Sequence, residues 1–383
     1  MHLKLAVEGR CLSWRGRSGI KRVGEAILAT LATEFPDIEV SVISNANVER
    51  SALPNGCALE VVPMRLAGYL LYGLRDRVRL LGCDALLCLG PLVARSDVVT
   101  VALLYDVYPL KYKSILSRRD RWSPTAASLI AVTWLKLISL RWAGTVLVSS
   151  MQTQADLAEY WTPIRQRVRL AYLGADPRVV GRPTGGSVQV TGGPHFVPKP
   201  YFLYVGSVNR QKGIETLLAA FARAHATLVP PPTLVVVGRK SWPARGLGSL
   251  TREAGVVWLE EVTDAELAGL YAGALAFVIM SRYEGFGLPL VEAMANGCAV
   301  IAPRGGVLEE VLGGAGVLVP LDDVAGLAEA MVLLGRDHAL RGRMGRDALE
   351  RAQQFTWRQT VQTIVEEASL LVGGEAAESA ETV

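Results

Sequence analysis

Two glutamates eight residues apart, Glu284 and Glu292, flank the run GFGLPLV, a glycine-rich turn stopped by proline, and could reach one pocket. Spacing alone does not select them, because Glu253 and Glu261 are also eight apart with no such run between. The local pattern does. AFVIMS (276–281) reads as a buried strand, Pro289 suits a first helical position, and Leu290, Ala293 and Met294 repeat at helical spacing until Gly297. A turn between strand and helix leaves N–H groups unpaired at the positive end of the helix dipole, where an anion is favoured. Gly285 and Gly287 would let that ligand approach the backbone. In VGSVNRQKGIETLL, Lys212 stands at the mouth of another helix, where an ammonium could meet a phosphate. Taken alone, each loop also reads as a tight turn bearing solvated charges.

The elements that must position these residues repeat along the chain. LKLAV, VSVIS, ALLCLG, VVTVALLYD and TVLVSS read as buried strands, with helical stretches such as VGEAILATLATEF between them. After GRPTGGSVQVTGGPHFVPKP, a Gly/Pro-rich break, the alternation resumes through YFLYVG, LVVVG, VVWLE, AFVIMS, CAVIAP and GVLVP. Strand–helix alternation implies parallel, doubly wound α/β sheets. The expected organisation is a first domain over 1–180, a linker over 181–198 and a second domain over 199–355. A helix over 356–373 and a disordered tail over 374–383 follow. Open α/β sheets bind ligands at the carboxyl ends of their strands, so a cleft between the two is expected to hold the site.

Composition bounds the function. With 383 residues, half of them hydrophobic and 20% charged, large cores are available and wholesale disorder is excluded. Five cysteines without a CxxC pair, and four histidines, argue against a zinc site or a disulfide framework. No leader peptide or membrane-crossing helix is expected, since charges interrupt every long apolar run. The net charge of +4 divides into +8 over residues 1–180 and −4 over the remainder, which suggests different partners for the two halves. The basic excess is modest and no nucleic-acid motif occurs, so a nucleic-acid partner is not expected.

Taken together, the runs YVGSVNRQKGIETLLAAF, LVVVGRKSW, WLEEVTDAELAGLYAGA to YEGFGLPLVEAMANGCAVIAP, EEVLGGAGVLVP and FTW resemble the retaining glycosyltransferases of family 4. SGIKRVGEAIL and LLYDVYPL are more weakly similar to that family's first domain. The resemblance implies the GT-B fold, two Rossmann-like domains facing across a cleft, and a nucleotide-sugar donor on the second. It implies catalytic roles for Lys212 and Glu284, with Arg210 as a second cation. Gly206, Ser207, Gly238, Gly285, Phe286, Gly287, Leu288 and Glu292 would bind donor, Lys212 meeting the diphosphate and Glu292 the ribose. Gly19, Tyr105 and Asp106 would line the acceptor side. Neither a metal nor another cofactor is required by this chemistry.

Departures from the family pattern bear on these roles. Ser207 stands where an arginine is frequent, and Tyr105 where many members carry histidine; tyrosine can bond a sugar hydroxyl but is not the same base. The loop style favours GDP-mannose, with UDP-glucose or a non-catalytic sugar-nucleotide-binding protein as alternatives. A glycan or lipid-linked acceptor in cell-surface polysaccharide or lipopolysaccharide synthesis is expected. Residues 111–142 interleave basic side chains with Trp122, Trp134 and Trp142, a pattern suited to an anionic membrane surface. The expected location is cytoplasmic, peripheral on the cytosolic face of the inner membrane.

Overall fold

A computed structural model describes residues 3–14, 18–108, 110–111, 124–181, 197–241 and 255–381. The chain divides into two compact units, Met1–Gly174 with Thr356–Val383, and Ala175–Phe355.

The first unit is built on seven strands: β1 (Lys4–Glu8), β2 (Glu39–Ser44), β3 (Ala58–Val61), β4 (Ala85–Cys88), β5 (Val99–Leu104), β6 (Thr145–Val148) and β7 (Val168–Leu170). They run parallel in the order β3-β2-β1-β4-β5-β6-β7. Leu5 sits opposite Ala85, and Glu8 opposite Cys88. Buried on both faces, β4, β5 and β6 carry the continuous apolar runs that a covered parallel sheet requires. Strand order reverses between β1 and β4, and ligand sites of doubly wound sheets lie at such a reversal.

Six parallel strands form the second unit: β8 (Tyr201–Val205), β9 (Thr233–Val237), β10 (Val256–Leu259), β11 (Phe277–Val278), β12 (Val300–Pro303) and β13 (Val317–Val319). Their order, β10-β9-β8-β11-β12-β13, reverses between β8 and β11. That junction sets Leu203 opposite Phe277 and brings the two candidate loops to one edge. Phe202, Leu217, Phe221, Val236 and Val278 belong to the core beneath it.

Two boundaries differ from the sequence expectation. The first unit ends at Gly174 rather than 180, because the following residues are tied into the second unit. There the Asn296 side-chain oxygen accepts the Gly181 N–H at 3.1 Å, and its amide donates to the Val179 carbonyl at 2.8 Å. Of the expected linker, residues 182–196 lie outside the described residues. The tail expected to be disordered from 374 instead continues the last helix, Trp357–Glu381. Alanine and glutamate, both good helix formers, outweigh Gly373 and Gly374 there. All five cysteines are free and buried, and burial pushes the Cys11, Cys88 and Cys298 thiols up to about 12.

That last helix is integral to the first unit. Val361, Ile364 and Ala368 are wholly buried, and Thr145 donates to Glu367 at 2.9 Å. A Cβ on Gly174 would lie 2.5 Å from the Trp357 nitrogen, and one on Gly144 would lie 2.8 Å from Leu371. Both glycines are therefore needed for the helix to lie this close. Burying each aliphatic side chain is worth about 1.5–3 kcal/mol. Deleting 356–383 should lower the melting temperature sharply or prevent folding, whereas deleting 375–383 should change it little. Equal melting of the two truncations in a calorimetric scan would contradict this packing.

Candidate active site

The second unit's site begins where β8 ends. Gly206 and Gly238 have φ of 149° and 143°, and a Cβ on Gly238 would collide with the Gly206 carbonyl. These two glycines allow the loops after β8 and β9 to lie against each other. The Ser207 carbonyl accepts the Tyr204 hydroxyl at 2.7 Å, while Ser207 itself is exposed. Burial first, and then the Glu284 charge, holds the Tyr204 phenol well above its ordinary pKa, so it remains a donor. Asn209 caps the next turn by accepting the Lys212 N–H at 3.0 Å. Gly213, at φ 66°, then turns the chain into the helix Ile214–Thr227, and a Cβ there would collide with the Met280 carbonyl.

Close approach at Gly213 sets the two loops side by side, and polar contacts fix them. Gln211 donates to the Tyr283 carbonyl at 3.1 Å, and the Arg282 N–H donates to the Gln211 carbonyl at 2.8 Å. The Arg282 guanidinium donates to the Arg210 carbonyl and pairs with Asp322 at 2.6 Å. Asp322 also accepts the Thr216 hydroxyl at 3.0 Å. Asp322 has a φ of 64°, a left-handed conformation that aspartate tolerates better than most residues. Held between these contacts, the Lys212 ammonium lies 2.6 Å from Glu284 Oε1, both side chains largely buried. The structure thus brings together the two residues that sequence reading set at the centre of the chemistry. Arg210 goes elsewhere: its guanidinium pairs with Glu215 at 2.8 Å and remains 43% exposed.

Beyond Glu284, Gly287 takes a φ of 94° and opens the helix Leu288–Ala295, with Pro289 in its first turn. Leu288 is half-buried and Gly285 flanks it in the same turn. Phe286 is buried and packs edge-on to Phe355 at 5.8 Å, so its ring braces the turn. Glu292 is wholly buried, and its Oε2 accepts the Tyr271 hydroxyl at 3.1 Å.

On the first unit, Gly19 opens the helix Gly19–Glu34, where Ser18 caps by accepting the Lys21 N–H at 3.2 Å. Tyr105 and Asp106 follow β5. The Tyr105 hydroxyl donates to the Leu89 carbonyl at 3.1 Å, and burial holds its phenol well above the ordinary value. Asp106 Oδ1 lies 3.7 Å from the buried Lys136 ammonium, which also donates to the Asp106 carbonyl at 2.8 Å. At the carboxyl end of β1, sequence reasoning missed a buried ion pair. Arg10 Nε donates to Glu8 Oε1 at 2.6 Å. In the sequence these residues show only as charges that interrupt an apolar run.

Two parallel α/β units with these sheet orders make the GT-B fold, and residues 199–337 match the family model of glycosyl transferases group 1. The resemblance carried by the motifs therefore holds, and the second unit carries a glycosyl transferases group 1 domain. The chain is 36% identical over 174 residues to O-antigen chain mannosyltransferase B of Escherichia coli, a match covering 43% of this chain and 44% of that protein. The chain thus spans less than half the length of that relative. Among solved structures, WaaG, a glycosyltransferase involved in lipopolysaccharide biosynthesis, superposes with a TM-score of 0.70 at 16% identity, covering 97% of this chain and all of that one. Anabaena Alr3699/HepE in complex with UDP-glucose superposes with a TM-score of 0.66 at 18% identity, covering all of both chains.

The geometry assigns distinct weights to these side chains. Lys212→Ala and Glu292→Ala should each lower turnover of a nucleotide-sugar donor by about 10²-fold, the usual loss when a preorganised electrostatic contact is removed. The exposed Glu329, on the helix Val324–Arg336, should tolerate alanine with no loss. Steady-state rates on variants with wild-type melting curves decide it. A Glu329 loss as large as that of Glu292 would refute the assignment.

Proposed function

We propose that this chain is a retaining glycosyltransferase. It would move a hexose, mannose favoured, from a nucleoside diphosphate sugar to a glycan or lipid-linked acceptor in cell-surface polysaccharide or lipopolysaccharide synthesis. The observation that carries the reading is the Lys212–Glu284 pair, 2.6 Å apart at the carboxyl edge of the β8–β11 junction. An ammonium held on that edge can meet the leaving diphosphate as charge develops on it, with the N–H groups of the 285–288 turn beside it. Glu284 then orients Lys212 and accepts hydroxyls of the transferred sugar. Glu292 takes the ribose hydroxyls, reached through the turn where Gly285 and Gly287 present no side chain. The leaving phosphate assists deprotonation of an acceptor attacking from the same face, so no protein nucleophile is required. No metal or other cofactor is part of this proposal.

GDP-mannose is the favoured donor, supported by the mannosyltransferase relative. UDP-glucose is the second candidate, supported by the structural neighbour solved with it. Incubation with GDP-mannose and UDP-glucose, with released nucleotide measured, tests the reading. Turnover of either donor that disappears in Lys212→Ala is the expected result. Tight binding of both without turnover, alone and with acceptor extracts, would leave a non-catalytic sugar-nucleotide-binding protein.

Membrane docking of the first unit at the cytosolic face belongs to the same proposal. No helix among the described residues is long and apolar enough to cross a membrane. The helix Pro124–Ser139 nevertheless leaves Trp134 and Leu135 exposed, at 41% and 58%. Two of the basic residues in segment 111–142 are engaged within the unit. Lys111 pairs with Asp156 and Glu159, Lys136 is buried against Asp106, and residues 112–123 lie outside those described. Trp134 and Leu135 supply the apolar contact among the described residues. Co-sedimentation with vesicles of phosphatidylethanolamine and phosphatidylglycerol should fall at least fivefold on Trp134→Glu with Leu135→Glu. Unchanged sedimentation of that double variant would remove the membrane from the proposal.

A further inference from the structure

The Glu8–Arg10 pair lies where the first unit's strand order reverses. Glu8 is the last residue of β1, opposite Cys88 at the end of β4. The carboxylate is wholly buried and the guanidinium side chain is 10% exposed. Glu8 Oε1 accepts twice from Arg10, from Nε at 2.6 Å and from the backbone N–H at 3.1 Å. Glu8 Oε2 has no hydrogen-bond partner among the described residues. Arg10 Nη2 reaches the Leu92 carbonyl at 3.4 Å, and the guanidinium stacks over Tyr69 with 5.9 Å to the ring centroid. Tyr69 is itself fixed, wholly buried in a π-helical turn (Tyr69–Gly73), its hydroxyl donating to the Ile43 carbonyl at 2.8 Å. Such turns recur at functional sites. Gly90 closes the arrangement: a Cβ there would lie 2.7 Å from Glu8 Oε2 and 3.0 Å from Arg10 Nη2.

Stability gives no reason to keep this pair. A buried ion pair seldom exceeds an apolar replacement in stability. What the pair does achieve is a guanidinium fixed in position, with N–H donors left over at the topological switch point. A guanidinium has five such donors, and one goes to Glu8 and one to Leu92. Glu8 offsets the charge of Arg10, so the pair itself adds little charge with which to hold a phosphate. Neutral oxygen suits it better.

We infer that Arg10 binds a hydroxyl oxygen of a sugar at the β1–β4 switch point, with Glu8 and Gly90 positioning its guanidinium. Calling that sugar the acceptor rests on the reading under Proposed function; the site itself does not. The test titrates the full chain with methyl α-D-mannopyranoside and reads saturation-transfer NMR on the sugar, while binding of GDP and UDP is followed separately by thermal shift. Saturation of the sugar is expected in the wild type and in the exposed-surface variant Glu329→Ala. It should fall at least fivefold in Arg10→Lys, which keeps the charge but loses the planar fork. Nucleotide binding should stay unchanged in that variant. Should Arg10→Lys not fold, Gly90→Ala carries the test, since its methyl group displaces the guanidinium without removing it. Full sugar signal in either folded Arg10 or Gly90 variant, no signal in the wild type, or loss of the signal in Glu329→Ala overturns the inference. Absent nucleotide binding with an Arg10-dependent sugar signal would instead sink the donor reading and leave this site standing.

Discussion

Everything at the second unit's site depends on one close approach, that of Gly213 to the Met280 carbonyl. A side chain at 213 would collide with that backbone, and φ 66° would strain it further. Because β8 and β11 are neighbours in a parallel sheet, the loops that follow them leave from the same edge. Removing the Cβ lets those loops come close enough for Gln211, Arg282 and Asp322 to bridge them. Only then can a flexible lysine and a glutamate 72 positions away hold a 2.6 Å contact. Long side chains lose rotamer freedom in such a pair, and exposed pairs seldom repay it. Here both partners are largely buried and their backbones are already fixed, so less freedom remains to be lost.

The sequence made some of this legible and hid the rest, for physical reasons. Buried parallel strands have to be continuous apolar runs, so β4, β5, β8 and β9 stand out without a structure. Pro289 marks a helix start because its fixed φ suits the first turn, where its missing N–H costs nothing. Tertiary partners are another matter. Arg210 looked like a free cation, but Glu215, in the first turn of the next helix, pairs with it. Phe286 also meets Phe355, distant in sequence, in a contact that its own segment does not announce. Asn296, which carries residues 179–181 into the second unit, gave no local signal, because an asparagine just past a helix is an ordinary helix-end residue.

Glu8 and Arg10 were hidden for a different reason. Charges two apart at the end of a strand are common, and most are solvated. Their burial follows from neighbours contributed by β2, β4 and the 69–73 turn, which no local pattern announces. Gly90 was equally silent, since nothing in its own segment shows that its missing side chain is what leaves room for a carboxylate and a guanidinium.

Seen this way, the two units apply one device with different balances of charge. Each places an Arg or Lys at its sheet's reversal point and uses a glutamate to hold it. In the second unit the partner of Lys212 stands on a separate loop, before a turn that opens a helix whose N-terminal dipole adds positive potential to the pair. In the first, the partner of Arg10 stands two residues away and is wholly buried, so the charges cancel locally and only directional N–H donors remain. Directional donors without excess charge suit sugar hydroxyls and discriminate against phosphate. Under the proposed transfer from a nucleotide sugar, the second unit's balance would suit the charged leaving group and the first unit's the neutral incoming one.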